Sequence, residues 1–290
     1  MRHAVWVLLA ALLFSTGGAA IKAAAVFEGW HLAFLRSAIA GVVLLLCVPR
    51  ARRVPQPPVW LVCGCFAFTL VVFVLANRLT TAANAIFLQS TAPLWVVLVA
   101  PLLLGEPGRR TDLPVVGLLL AGIGLLVGSE EPATALATQP SVGDALAALC
   151  GLTWGLTVIG MRWMARDGST GALTVAAWGS VLAALAALPF AWPLPVAGWS
   201  DWAAAAWLGV VQVSAAYVLL ARGLPKLGAL EAMLLLMVEP LLVPVWAFLL
   251  HGERPTGWAL VGGGVVLTAV AFRGAAPPPR PASVAAGARG

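Results

Sequence analysis

The sequence predicts an all-α membrane protein: ten transmembrane helices arranged as two inverted five-helix repeats. Three observations predict it. First, charge is scarce. Of 290 residues, 17 are Lys or Arg and 11 are Asp or Glu, so 10% are charged and 61% are hydrophobic, and the mean hydropathy is +0.98. A soluble domain carries about 25% charged and about 45–50% apolar residues, which excludes a soluble globular protein; the apolar content equally excludes a disordered one. Second, the remaining charge is segregated: Leu79–Gly105 and Gly168–Ser200 contain no Asp, Glu, Lys or Arg. A bilayer core about 30 Å thick takes about 20 such residues per helix. Third, one pattern recurs at a fixed offset in the two halves of the chain.

The apolar runs between breakers give the elements in order. The first half holds Val5–Ala25, Trp30–Val48, Val59–Asn77, Ala83–Leu104 and the short Pro114–Ser129. The second holds Val142–Met164, Ala172–Trp192, Trp202–Ala221, Leu227–Leu250 and Gly257–Arg273. The first run follows Arg2 and ends on Ala23-Ala24-Ala25, as a secretory signal does, but its counterpart in the second half makes it a span. Joints at Pro49–Pro58, Gly105–Leu113, Glu130–Ser141 and Pro193–Asp201 carry Gly and Pro where turns need them. The ten-residue strands of alternating polarity that mark a transmembrane β-barrel are absent. The expected organisation is therefore a first repeat at 1–129, an extracytoplasmic linker at 130–141, a second repeat at 142–273, and a tail at 274–290 with the composition of a disordered segment.

Assigning the joints to alternate sides places thirteen of the Lys and Arg residues on the side of the N-terminus and only Arg78 and Arg254 on the other; Lys22 and Arg36 lie within spans. Basic loops stay in the cytoplasm, so both termini are expected there, in a cell (inner) membrane. The net charge of +6 follows from this bias and calls for no nucleic-acid partner; the expected partners are membrane lipid and a small-molecule substrate, and a monomer suffices. The four cysteines all fall within spans. Cys63 and Cys65 point about 200° apart on a helix and cannot chelate together, so no metal and no disulfide is expected.

The halves align in order. Phe14-Ser15, with Lys22 eight residues after Phe14, matches Trp154-Gly155, with Arg162 eight after Trp154. Pro93 and Glu106 match Pro240 and Glu253, both at an offset of 147, and Gly-rich runs (Gly117, Gly122, Gly124; Gly262, Gly263, Gly264) close each half. Each unit has an odd number of spans, so the second copy crosses the membrane in the opposite sense. Secondary transporters use inverted copies to expose one central site to each side in turn. The paired Pro-to-Gly-Glu signatures at 93–106 and 240–253, the opening LLAALLFS…IK, and Gly143-Asp144 with Leu152-Thr153-Trp154 resemble the EamA branch of the drug/metabolite transporter superfamily, over about residues 4–273. Phe14-Ser15 stands where that family often has Trp-Gly. The resemblance implies a ten-helix transporter with a central cavity, commonly an exporter of amino acids, other metabolites or drugs.

Charge inside a span marks a site by default. Glu239 sits about 18 Å along its helix, at 1.5 Å per residue, close to the midplane. It is the candidate for substrate binding and for proton coupling, against a structural role in capping backbone freed by Pro240. Arg36 either snorkels to the outer boundary or holds a substrate carboxylate in the cavity. Lys22 is expected to snorkel, and depths differing by about 9 Å argue against a direct salt bridge between either cation and Glu239. Pro93 and Pro240, mid-helix at matched positions, are expected to kink spans four and nine and to free carbonyls there. Thr91 and Gln89 precede the first kink and Gln212 lies at mid-depth in span eight; with Trp154 and its counterpart Phe14 they complete the candidate substrate-binding set. Most other tryptophans fall near span ends, as an interfacial belt does.

These residues favour a secondary transporter of small metabolites, amino acid-like or organic, exporting by alternating access. The alternative is a channel or a non-transporting partner subunit. No P-loop occurs, so ATP does not drive it directly. His3, His31 and His251 are scattered near span ends and no carboxylate pair lies within a span, so neither an enzyme nor a cofactor is expected.

Overall fold

In the computed structural model the described residues are 2–105, 137–165, 171–224, 227, 229–236, 238–254 and 256–275, with positions 114, 115, 117, 118, 121, 122, 124 and 125 of the fifth predicted span. They are helical, with no strand among them. Chain order gives α1 (Arg2–Ser15), α2 (Gly17–Ala23), α3 (Gly29–Cys47), α4 (Pro57–Leu79), α5 (Ala82–Gln89), α6 (Ala92–Leu104), α7 (Pro140–Ala165), α8 (Gly171–Ala191) and α9 (Trp199–Trp207). A π-helical segment, Leu208–Ala215, leads into α10 (Ala216–Gly223), followed by α11 (Ala229–Leu236), α12 (Val238–His251) and α13 (Gly257–Ala275). Among the described residues, seven helical stretches are long and apolar enough to cross a membrane: His3–Ala23, Gly29–Cys47, Pro57–Leu79, Ala82–Leu104, Pro140–Met164, Gly171–Ala191 and Trp199–Gly223. Shorter apolar helices occupy Val238–His251 and Leu260–Ala269. This is a multi-pass membrane protein.

Local chemistry sets the boundaries. Glu28 caps α3 in a reciprocal box with His31, whose Nδ1 accepts from the Glu28 amide at 3.1 Å. Pro57 and Pro58 open α4 where a missing N–H costs nothing, and the Thr81 hydroxyl accepts from the Asn84 amide at 3.2 Å to start α5. Gly105 and Gly252 follow α6 and α12 with φ of 62° and 67°, the left-handed turn that glycine makes without steric cost. The ninth predicted span is described as α11 and α12, and residue 237 between them lies outside the described residues. Two expectations need adjusting. Helix α7 starts at Pro140, inside the expected linker, whose residues 130–136 lie outside the described residues. Helix α13 runs to Ala275, two residues into the expected tail, the rest of which lies outside them too, as do Glu106 and half of Pro114–Ser129.

The halves are interleaved. Helix α7 packs along α4, α5 and α6, whereas α1 packs along α10, α11 and α12; α3 lies against α8 and the π segment. Each half thus lends its first helix to the other. The outside is apolar, as lipid requires: Leu61, Leu102 and Trp199 are 75%, 83% and 86% exposed.

Candidate functional site

Where the interleaved helices meet, a small cavity is lined by Phe14, Arg36, Thr69, Leu70, Phe73, Gln89, Trp154, Gln212, Tyr217 and Glu239. Broken or bulged backbone brings them there. Helix α5 ends at Gln89, Ser90 and Thr91 turn, and α6 restarts at Ala92 with Pro93 in its first turn. Glu239 and Pro240 lie in the first turn of α12. Phe14 is one residue from the end of α1, and that break is held by two indoles: Trp246 donates to the Ser15 hydroxyl and Trp207 to the Thr16 hydroxyl, each at 3.0 Å. The π segment carries Gln212; Ser214 fixes it by donating to the Gly209 carbonyl at 2.8 Å. Such bulges occur frequently at functional sites because they re-aim side chains.

The wall has an aromatic part and a polar part. Tyr217 stands edge-on to Phe14 at 4.9 Å, to Phe66 at 4.8 Å and to Trp154 at 6.0 Å, and Phe14 meets Trp154 at 6.3 Å. Edge-to-face rings at these separations attract one another and form a rigid apolar box. Arg36 is 2% exposed. Its guanidinium lies over the Phe73 ring at 5.4 Å and within electrostatic reach of Tyr217, Cys150 and Glu239, yet its Nε and Nη1 have no hydrogen-bond partner. Gln212 Oε1 is also unpartnered. Buried polar atoms in native proteins are nearly always satisfied, so two bare donors and a bare acceptor facing one cavity call for a ligand carrying both an acceptor and a donor. Nearby, Thr69 donates to the Thr153 hydroxyl at 2.8 Å, and Cys150 Sγ lies 3.6 Å from Gln89 Oε1.

Of the residues singled out in the sequence, Glu239, Arg36, Gln89, Gln212, Trp154 and Phe14 all line this cavity. Thr91 does not: it precedes α6 and is turned against Gly151 of α7. Pro93 follows the Ser90–Thr91 turn in the first turn of α6, so it marks an interruption rather than a mid-helix kink; Pro240 is buried in α12, and residue 237 just before that helix lies outside the described residues. Arg36 faces the cavity rather than snorkelling, and no ion pair joins it to Glu239 among the described residues. Lys22 departs from expectation. It is 7% exposed, pairs with Glu253 Oε2 at 3.6 Å and donates to the Thr80 carbonyl at 3.3 Å, because Gly252 turns the chain back and carries Glu253 inward. Thr69, Leu70, Phe73 and Tyr217 were not foreseen; Tyr217 is the chain's single tyrosine, and that singularity was the available signal.

Comparison with known proteins gives three results. The EamA-like transporter family matches twice, at residues 1–128 and 141–273. The aromatic amino acid exporter YddG of Ancylobacter novellus is 29% identical over 281 residues, covering 92% of this chain and 88% of that protein. A solved crystal structure aligns with a TM-score of 0.68 and 23% identity, over 93% of this chain and 96% of its own, which shows a shared fold.

Proposed function

This chain belongs to the EamA-like transporter family, and we propose that it is a secondary active exporter of small amphoteric metabolites, amino acid-like compounds with an apolar or aromatic body. It is a small-molecule transporter by family rather than an enzyme. The observation that carries the finer reading is the cavity itself, where the unpartnered Arg36 donors, Gln212 Oε1 and the Glu239 carboxyl face a box of Phe14, Trp154 and Tyr217. Arg36 takes the substrate carboxylate, Glu239 with Gln212 takes its ammonium, and the rings take its side chain. An exporter of aromatic amino acids among the relatives supports both the direction and the substrate class.

In this reading the chain spans the inner membrane ten times as two inverted repeats, residues 1–129 and 142–273, with both ends in the cytoplasm. The twofold family match and the left-handed glycines at matched positions, Gly105 and Gly252, support it. Alternating access then swings the interleaved halves about the shared cavity. Glu239 couples the cycle to protons by exchanging a proton for the substrate ammonium. Purified protein in detergent, heated with phenylalanine, tyrosine, alanine, phenylethylamine or phenylacetate, tests the pocket. A ligand at a hundredfold excess over its Kd stabilises by about 2.7 kcal/mol. The aromatic amino acids are expected to shift Tm most and the two half-ligands less. Arg36→Met is expected to abolish the advantage of phenylalanine over phenylethylamine; equal shifts in both proteins contradict the assignment.

A further inference from the structure

Buried polar ties join the two halves at the end of the molecule away from the N-terminus. Lys22 lies eight residues beyond Phe14, Asp144 ten before Trp154, and Glu253 fourteen beyond Glu239. At 1.5 Å per residue all three stand about 12–21 Å from the cavity in the same direction, away from the N-terminus. There they meet side chains of the other half. The Glu253 carboxylate accepts from the Ala82 amide at 2.7 Å while pairing with Lys22. Asp144 accepts from the Thr80 hydroxyl at 2.7 Å and from Asn84 Nδ2 at 3.3 Å. Every one of these bonds crosses between residues 1–128 and 141–273, and Lys22, Thr80, Asn84, Asp144 and Glu253 are all under a tenth exposed. Two further bonds cross the same seam: His251 Nε2 with the Ala19 carbonyl at 2.8 Å, and the Val26 amide to Asp201 Oδ1 at 3.0 Å. At the N-terminal end, His3 Nδ1 meets the Arg222 carbonyl at 3.2 Å and Arg222 lies over Trp6 at 5.4 Å.

We propose that the interlock of Lys22–Glu253 with Thr80–Asp144 is a latch that closes the far end of the cavity, and that its parting is the step that opens the cavity to that side. A buried charged pair with hydrogen bonds to backbone suits a two-position device. When shut, the Glu253 charge is offset by Lys22 and by the Ala82 amide, although its Oε2 makes no hydrogen bond; when open it is satisfied by water, whereas a half-open state leaves charges buried and unpaired. The two carboxylates hold the ends of different helices, α7 and α12, to one strip of the first half, the turn from Thr80 to Asn84. Opening there releases both helices together. The proposal rests on the transporter reading, but its test needs no substrate, so the two fail separately.

The test uses a cysteine in the cavity, Thr69→Cys, in vesicles of known orientation, labelled by a membrane-impermeant maleimide from either side; the parent without it gives the background of the native cysteines. Adding Glu253→Gln is expected to raise labelling from the side away from the chain termini about tenfold. Adding the milder Thr80→Val, which removes only the hydroxyl that Asp144 accepts from, is expected to raise it about threefold. Arg222→Gln, at the other end, leaves that rate at the parental value. Parental rates in both latch variants overturn the proposal, and so does a rise of equal size from both sides, which reports general loosening.

Discussion

The two halves of the chain agree in frame and part in chemistry. Each carries a proline at a matched position, Pro93 in α6 and Pro240 in α12, and each ends that helix on a left-handed glycine, Gly105 or Gly252. Those positions share the offset of 147. Yet the offset that relates them sets Glu239 against Ala92, the guanidinium of Arg36 comes from the first half alone, and the π segment that carries Gln212 lies in the second. A duplicated frame that encloses an unequal pair of walls fits a ligand with two different ends. The difference separates positions whose loss costs folding from positions whose loss costs function.

Changes to the frame are expected to act hardest. Helix α7 crosses the break of the first half at Gly151, where a Cβ would sit on Thr91 Oγ1, with the Leu88 and Gln89 carbonyls at 3.0 and 3.1 Å. Gly151→Val is expected to cost about 1–3 kcal/mol or more by overpacking, seen as a lowered Tm and lost detergent-stable protein. Ala11, its counterpart on α1, shows that the second half has room for a methyl group there, so Ala11→Gly is expected to be mild. The chemical positions come next. Glu239→Gln is expected to reduce transport roughly 10- to 150-fold, the worth of about 1.5–3 kcal/mol for a charged hydrogen bond, while Tm is held or raised, because an ionisable group buried without an ion partner weakens a fold. Ala92→Glu, which makes the halves alike, is not expected to rescue it. The smallest effect belongs to Tyr217→Phe. The ring box stays and only a hydroxyl goes, so Kd for tyrosine and phenylalanine is expected to weaken by no more than about tenfold, about 0.5–1.5 kcal/mol.

The fold was legible where charge and punctuation speak. Charge-free runs located the spans because hydrocarbon tolerates little else, and Glu239 and Arg36 were visible because each is a charge within such a run. Rotational phase was not legible: lipid is as apolar as a helix interface, so Thr69, Leu70 and Phe73 of α4 differ little in polarity from the residues that face lipid, and only packing shows which side lines the cavity. Thr91 was misplaced for a related reason, since a helix break swings a side chain to a neighbour that periodicity does not foresee. Lys22–Glu253 was missed because Glu253 lies past the end of its helix, and spacing along a span says nothing about a chain that turns back through Gly252. The family resemblance drawn from the paired signatures agrees with the family match over both halves.

Counterflow tests the account most directly. Protein reconstituted in liposomes loaded with millimolar unlabelled phenylalanine, diluted into a trace of labelled phenylalanine, is predicted to accumulate label transiently above equilibrium, to be stimulated by internal tyrosine, and to lose both behaviours with Glu239→Gln or Arg36→Met. Label that enters at a rate proportional to its concentration, without saturation or trans-stimulation, contradicts an alternating pocket and makes the protein a pore.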